Sequence, residues 1–188
     1  MKSIHLGVWF SALLPLLAAG CTATAPQPPQ DKEAKIKAAL LQLDPDDREA
    51  AEEQKYCVVQ TSNRLGSMGK PIKLTIKDET VFVCCEGCEK TAKKDPDKTL
   101  ARVEEVRIRA ALEQLDPADR KLAEEQKYCA VQTKNRLGSM GPPVKLMLKD
   151  QPVFLCCGGC TKAAKKDPDK TLATVKKLKD ANAAAAKE

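Results

Sequence analysis

Eight cysteines fall into two sets of identical spacing: Cys57, Cys84, Cys85 and Cys88, then Cys129, Cys156, Cys157 and Cys160. Four thiols in so short a span support three chemistries. They could grip a metal ion, pair as disulfides that staple a small domain, or work as redox thiols through Cys85-Glu86-Gly87-Cys88. Imidazole would accompany the sulfur in many metal and catalytic sites. The only histidine, His5, lies with the only tryptophan, Trp9, in an apolar N-terminal stretch. A sulfur-only donor set suits soft or borderline ions, copper(I) or zinc above all. Neither Ser-His-Asp nor Cys-His catalysis fits such a chain, and no enzyme is expected. The Cys-x-x-Cys pair lacks the βαβ surroundings of a thioredoxin-like oxidoreductase.

The elements that must hold these thiols recur with them. Asp44–Leu100 and Asp116–Leu172 align at an offset of 72 with 42 identities in 57 positions. Each copy is parsed alike. A helix over about 35–43 carries Ile36, Ala39, Leu40 and Leu43 on one stripe. Asp44-Pro45 starts a second helix that ends near Lys55, just before Cys57. Ile72–Ile76 alternates as a half-buried strand, and Val81-Phe82-Val83 returns as its hairpin partner. Cys84–Cys88 opens a third helix, and Asp95-Pro96 caps the next. No Gly or Pro interrupts Asp97–Leu115, which predicts one continuous helix into the second copy. The expected fold is α+β: two small tandem domains, each a β-hairpin packed with short helices, joined by that helix. Such small domains with only 3% aromatic residues need a staple.

Cys57, then Val81-Phe82-Val83-Cys84-x3-Cys88, then Asp95-Pro96 resembles the YHS and TRASH-like heavy-metal-binding domains, over about 54–100 and again over 126–172. The resemblance implies Cys57, Cys84 and Cys88 as ligands in the first copy, and Cys129, Cys156 and Cys160 in the second. Three thiolates suit trigonal copper(I); zinc would take a fourth ligand, from Cys85 or an exogenous group. Cys85, Cys157, Met68 and Met140 are therefore candidates for additional ligands. The methionines are otherwise loop or core packing. Strand geometry pulls against this register. A turn at Asp78-Glu79 would put Cys85 on the Leu/Ile face and Cys84 on the other face with Phe82, although neither Asp78-Glu79 nor Asp150-Gln151 is a favoured turn pair. The family register selects the first cysteine of each adjacent pair.

The ninth cysteine stands apart. Leu17-Ala18-Ala19-Gly20-Cys21 closes an apolar stretch that starts after Lys2 and resembles a lipobox, which implies cleavage before Cys21 and diacylation of its sulfur. Thr22 in the next position, by resemblance to Gram-negative lipoproteins, implies the outer membrane facing the periplasm. The expected organisation is a signal peptide over 1–20, a proline-rich tether over 21–33, repeats over 34–105 and 106–178, and an alanine-rich tail over 179–188. Partners would be the membrane, through the lipid anchor, and a metal-efflux or metallochaperone protein. A net charge of +6 made of 32 basic and 26 acidic residues, interspersed and without aromatic platforms, speaks against nucleic acid.

The remaining motifs have plain readings. Leu65-Gly66-Ser67-Met68-Gly69 lacks the Lys-Ser/Thr of a phosphate loop and is taken as a glycine turn. Asp44, Asp47, Asp95 and Asp97 are helix caps and first-turn charges. Tyr56 and Tyr128, each just before a cysteine, are expected to cover the site.

Overall fold

The computed structural model describes residues 29–185, an α+β fold of helices and two small antiparallel hairpins. Residues 1–28 and 186–188, and with them Cys21, the expected signal peptide and most of the expected tether, lie outside the described residues. The elements are α1 (Pro29–Leu40), α2 (Pro45–Gln54), β1 (Ile72–Ile76), β2 (Glu79–Val83), α3 (Glu86–Lys94) and α4 (Pro96–Leu112). They repeat as α5 (Pro117–Gln126), β3 (Val144–Leu148), β4 (Gln151–Leu155), a 3₁₀ turn over Gly158–Cys160, α6 (Thr161–Lys166) and α7 (Pro168–Ala185).

Asp-Pro pairs start the helices as expected. Proline fits the first turn because its missing N–H would have no partner there. Asp95 accepts a hydrogen bond from the Lys98 N–H at 3.1 Å. Asp44 holds the same position in extended backbone but makes no side-chain cap, while Asp47 and Asp97 pair with Lys73 and Lys77 across to the hairpin. Helix α1 starts earlier than the sequence suggests, at Pro29, so residues 29–33 are helical and not tether. At the other end α7 runs through Ala185. The Asn182 amide donates to the carbonyls of Glu125 and Gln126, so 179–185 is a docked helix where a fraying tail was expected.

Two hydrophobic cores form. One gathers Ile36, Leu40, Val58, Leu65, Leu74, Phe82, Val103 and Val106; the other gathers Ile108, Leu112, Leu137, Leu148, Phe154 and Val175. The expected division at 105/106 thus falls inside α4, whose first part closes one core and whose last turns open the other. Gly66 explains part of the fit. Its φ is +88°, and a Cβ there would stand 2.8 Å from the Ile36 carbonyl oxygen; Gly138 repeats this against Ile108.

The hairpin turn falls one residue before Asp78-Glu79. Ile76 pairs with Glu79 and Leu74 with Val81, which leaves Lys77-Asp78 as the two-residue turn. Both have positive φ, 46° and 69°, the form that matches strand twist. Lys149-Asp150 repeats it. Pro152 then pairs with Met147, one step from the hydrogen-bonded closing pair, where its nitrogen faces away from the ladder and costs no bond. Val81, Phe82 and Val83 are all buried, so β2 has core on both faces.

Candidate metal centre

Three elements converge on each thiol cluster. The chain leaving α2 makes a tight loop in which the Cys57 N–H donates to the Asn63 carbonyl at 2.9 Å and Leu65 N–H to the Lys55 carbonyl at 2.9 Å. This fixes Cys57 beneath the end of β2. Cys84 follows β2 directly, Cys85 is the extended residue preceding α3, and Cys88 lies in its first turn. In each copy the Sγ atoms of the expected triad lie within 4.8 Å of one another: Cys57, Cys84 and Cys88, and again Cys129, Cys156 and Cys160, all six buried. Cys84 and Cys88 are 3.8 Å apart, as are Cys156 and Cys160, and Cys129 is 3.8 Å from Cys160.

Those separations carry chemical information. Sulfurs about 2.3 Å from one zinc ion at tetrahedral angles stand about 3.8 Å apart, and trigonal coordination opens this slightly. A disulfide requires about 2.05 Å. The eight described cysteines are free thiols. Each triad could therefore hold a metal ion, and its all-sulfur donor set suits a soft or borderline one.

The fourth thiol is different. Cys85 is only partly buried and lies 3.9 Å from Cys84 and 3.7 Å from Cys88, at the rim of the site and outside the triad. Cys157 holds the same place. Met68 and Met140 are on the loop surface, 58% and 59% exposed, with Asn63 and Asn135 amides against their sulfurs. The Asn135 amide also reaches Cys156 Sγ at 3.9 Å. Tyr56 is partly buried and packs against the first core, which includes the three thiols. Its hydroxyl donates to the Glu113 carboxylate and its ring carries the Arg109 guanidinium 3.5 Å above it, which fastens the first half to the end of α4.

Burial, then the neighbouring Cys57 thiol, pushes Cys84 up to about 11; burial also raises Cys88, Cys156 and Cys160. Cys129 goes the other way. Burial opposes its ionisation, but backbone N–H groups of Cys156, Gln132 and Val131 outweigh it. The Cys88 N–H lowers Cys85, and the Gly159 N–H lowers Cys157. A metal-free triad therefore holds protons at neutral pH that an ion must displace. Affinity should rise with pH and fall on acidification, with about one to three protons released per ion. Calorimetry in buffers of differing ionisation enthalpy measures that release; a buffer-independent enthalpy would contradict it. For the metal-free fold the sign reverses. With Cys84 raised from 9.0 to about 11, its contribution to stability is present below 9 and lost as pH climbs through 11.

Sequence reasoning passed over Gln54 and Gln126. Each is fully buried. The Gln54 amide donates to the carbonyls of Phe82 at 2.7 Å and Tyr56 at 2.8 Å, and its oxygen accepts the Phe82 N–H at 2.9 Å. Gln126 does the same for Phe154 and Tyr128. The outer edge of β2 has no third strand, and this side chain supplies that strand's hydrogen bonds just before the cysteines. The recurrence of Gln-Lys-Tyr-Cys was the available signal. Comparison with protein-family models, curated proteins and solved structures gives no match, so the chemistry rests on the chain's own residues.

Proposed function

We propose that this chain is a two-site thiolate binder of copper(I) or zinc that buffers or hands on the ion at the cell envelope. The observation that carries the reading is the same buried triad of sulfurs, within 4.8 Å, built twice. The YHS/TRASH-like order of cysteines, hairpin and Asp-Pro supports it, as does the lack of imidazole beyond His5. Cys57, Cys84 and Cys88 hold one ion, and Cys129, Cys156 and Cys160 the other. Binding, not turnover, is the activity. An efflux or metallochaperone protein is the natural recipient, since a thiolate-held ion moves by ligand exchange.

Elemental analysis of the protein after loading and desalting should give two ions per chain, one for each triad. Loading should protect the six buried thiols from alkylation, and chelation should restore their reactivity. A value of one ion points to a single competent or shared site, and a value of zero removes the proposal.

The envelope part of the proposal rests on Leu17–Cys21 as a lipobox. Cys21→Ala should release the protein from the membrane pellet or block its processing. A variant that is processed and sediments like the wild type would remove the lipid anchor from the account.

A further inference from the structure

Each site contains a thiol that the triad does not use. Cys85 lies 3.7 Å from Cys88, one of the three proposed ligands, and is partly exposed where Cys88 is buried. Residues three apart at a helix start bring their Cβ atoms within about 5–6 Å, so a disulfide closes with a small adjustment. The adjacent pair Cys84 and Cys85 is no rival, because a ring through neighbouring residues is strained.

A second observation concerns access. Gly87 lies in the first turn of α3, where alanine is the better helix former. No left-handed backbone requires it there or at Gly159. At both positions the atom that a Cβ would meet is the rim sulfur: Cys85 Sγ at 3.9 Å from Gly87, and Cys157 Sγ at 3.7 Å from Gly159. A longer side chain would grow over that sulfur. In both copies glycine leaves the rim thiol open to a reactant while the triad beneath stays buried.

We propose that Cys85 with Cys88, and Cys157 with Cys160, are disulfide-forming pairs through which a disulfide-bearing oxidant discharges the metal site. The inference rests on the triads being the resident ligands. The Cys85 thiolate attacks one sulfur of the oxidant, forms a mixed disulfide and expels one thiolate. The Cys88 thiolate then leaves the ion, attacks Cys85 Sγ and expels the second thiolate. Two electrons pass from the protein pair to the oxidant, which leaves as two thiols. The triad is left with two sulfurs and releases its ion. The site thus couples retention of the metal to the thiol-disulfide balance around it.

The test treats the full, zinc-loaded protein with glutathione disulfide and follows zinc with a chromophoric indicator. Peptide mapping should find Cys85 joined to Cys88 and Cys157 to Cys160. Cys85→Ser with Cys157→Ser should still load both ions and release them about tenfold more slowly or less. Gly87→Leu with Gly159→Leu should also slow release at unchanged loading. Release from the serine variant at the wild-type rate, or a mapped bond from Cys57 or Cys129, overturns the inference. A serine variant that loads no ion makes Cys85 a resident ligand and overturns it while the metal-binding reading stands. Wild-type protein that loads no ion removes both.

Discussion

Cys84→Ser combined with Cys156→Ser is expected to abolish loading at both triads, whereas Cys85→Ser combined with Cys157→Ser leaves loading intact. The two pairs are adjacent in sequence, so the contrast is sharp. Cys84 and Cys156 are buried and each sits among the other two sulfurs of its triad; Cys85 and Cys157 sit at the rim. Structural zinc sites are worth about 10–16 kcal/mol in small peptides, so losing one thiolate of three shifts the dissociation constant by orders of magnitude. Serine replaces a soft ligand with a hydroxyl that does not ionise near neutral pH, which a soft ion recovers nothing from. Elemental analysis of both variants after desalting reads the result. The reverse outcome would mark a Cys-x-x-Cys knuckle. Loss in both variants would mark four-thiolate zinc sites and rule out the triad.

Gln54→Leu is expected to destabilise the first half by about 2 kcal/mol or more, since it orphans two buried backbone groups and a part-buried one at about 1–3 kcal/mol each. The groups are the Phe82 N–H and the carbonyls of Phe82 and Tyr56. Leucine fills a similar volume, so the loss comes from hydrogen bonding and not from a cavity. Against the ~5–15 kcal/mol of a typical domain, that takes a large share. Gln126 is untouched, so urea unfolding should split, with the first half melting early. Ion loading at Cys57, Cys84 and Cys88 should weaken while the second triad keeps its ion. A single transition within about 0.5 kcal/mol of wild type would show that water or a shifted backbone replaces the glutamine.

Much of this fold is legible because it is punctuated locally. Asp-Pro at 44–45, 95–96 and 116–117 starts three helices by short-range sterics, and alternation in Ile72–Ile76 reports one buried face. The thiol cluster was legible through order and repetition: the structure unites Cys57, Cys84 and Cys88, keeps Cys85 at their rim against Cys84 and Cys88, and leaves Met68 exposed on the loop. What failed depends on distant contacts. The turn at Lys77-Asp78 has no Gly or Asn to announce it. Its place is set by pairing Leu74 with Val81, and that pairing sits two residues from the register considered from sequence. Parity survives such a shift, so Cys84 still shares a face with Phe82. That face is buried as fully as the Leu/Ile face, so sharing it with Phe82 does not take Cys84 out of the site. Gln54 itself looked like one more polar residue at a helix end. Only the missing third strand gives it a task.

Helix α4 has a consequence for how such a chain can be cut or lengthened. Val103 and Val106 complete the first core and Ile108 and Leu112 begin the second, so the two cores meet inside one unbroken helix, each with its own side chains on it. Severing the helix between Val106 and Ile108 leaves each core its own side chains but takes from the first half the Arg109 and Glu113 that clasp Tyr56. Growth by whole 72-residue periods meets no such penalty, because each added unit lends its first helix to the one before. The second half shows the joint undecorated: Ala181 and Ala185 of α7 stand where Arg109 and Glu113 of α4 clasp Tyr56. The polar clasp at 109 and 113 is thus the hardware of a splice between neighbours, added to a helix that can be built without it.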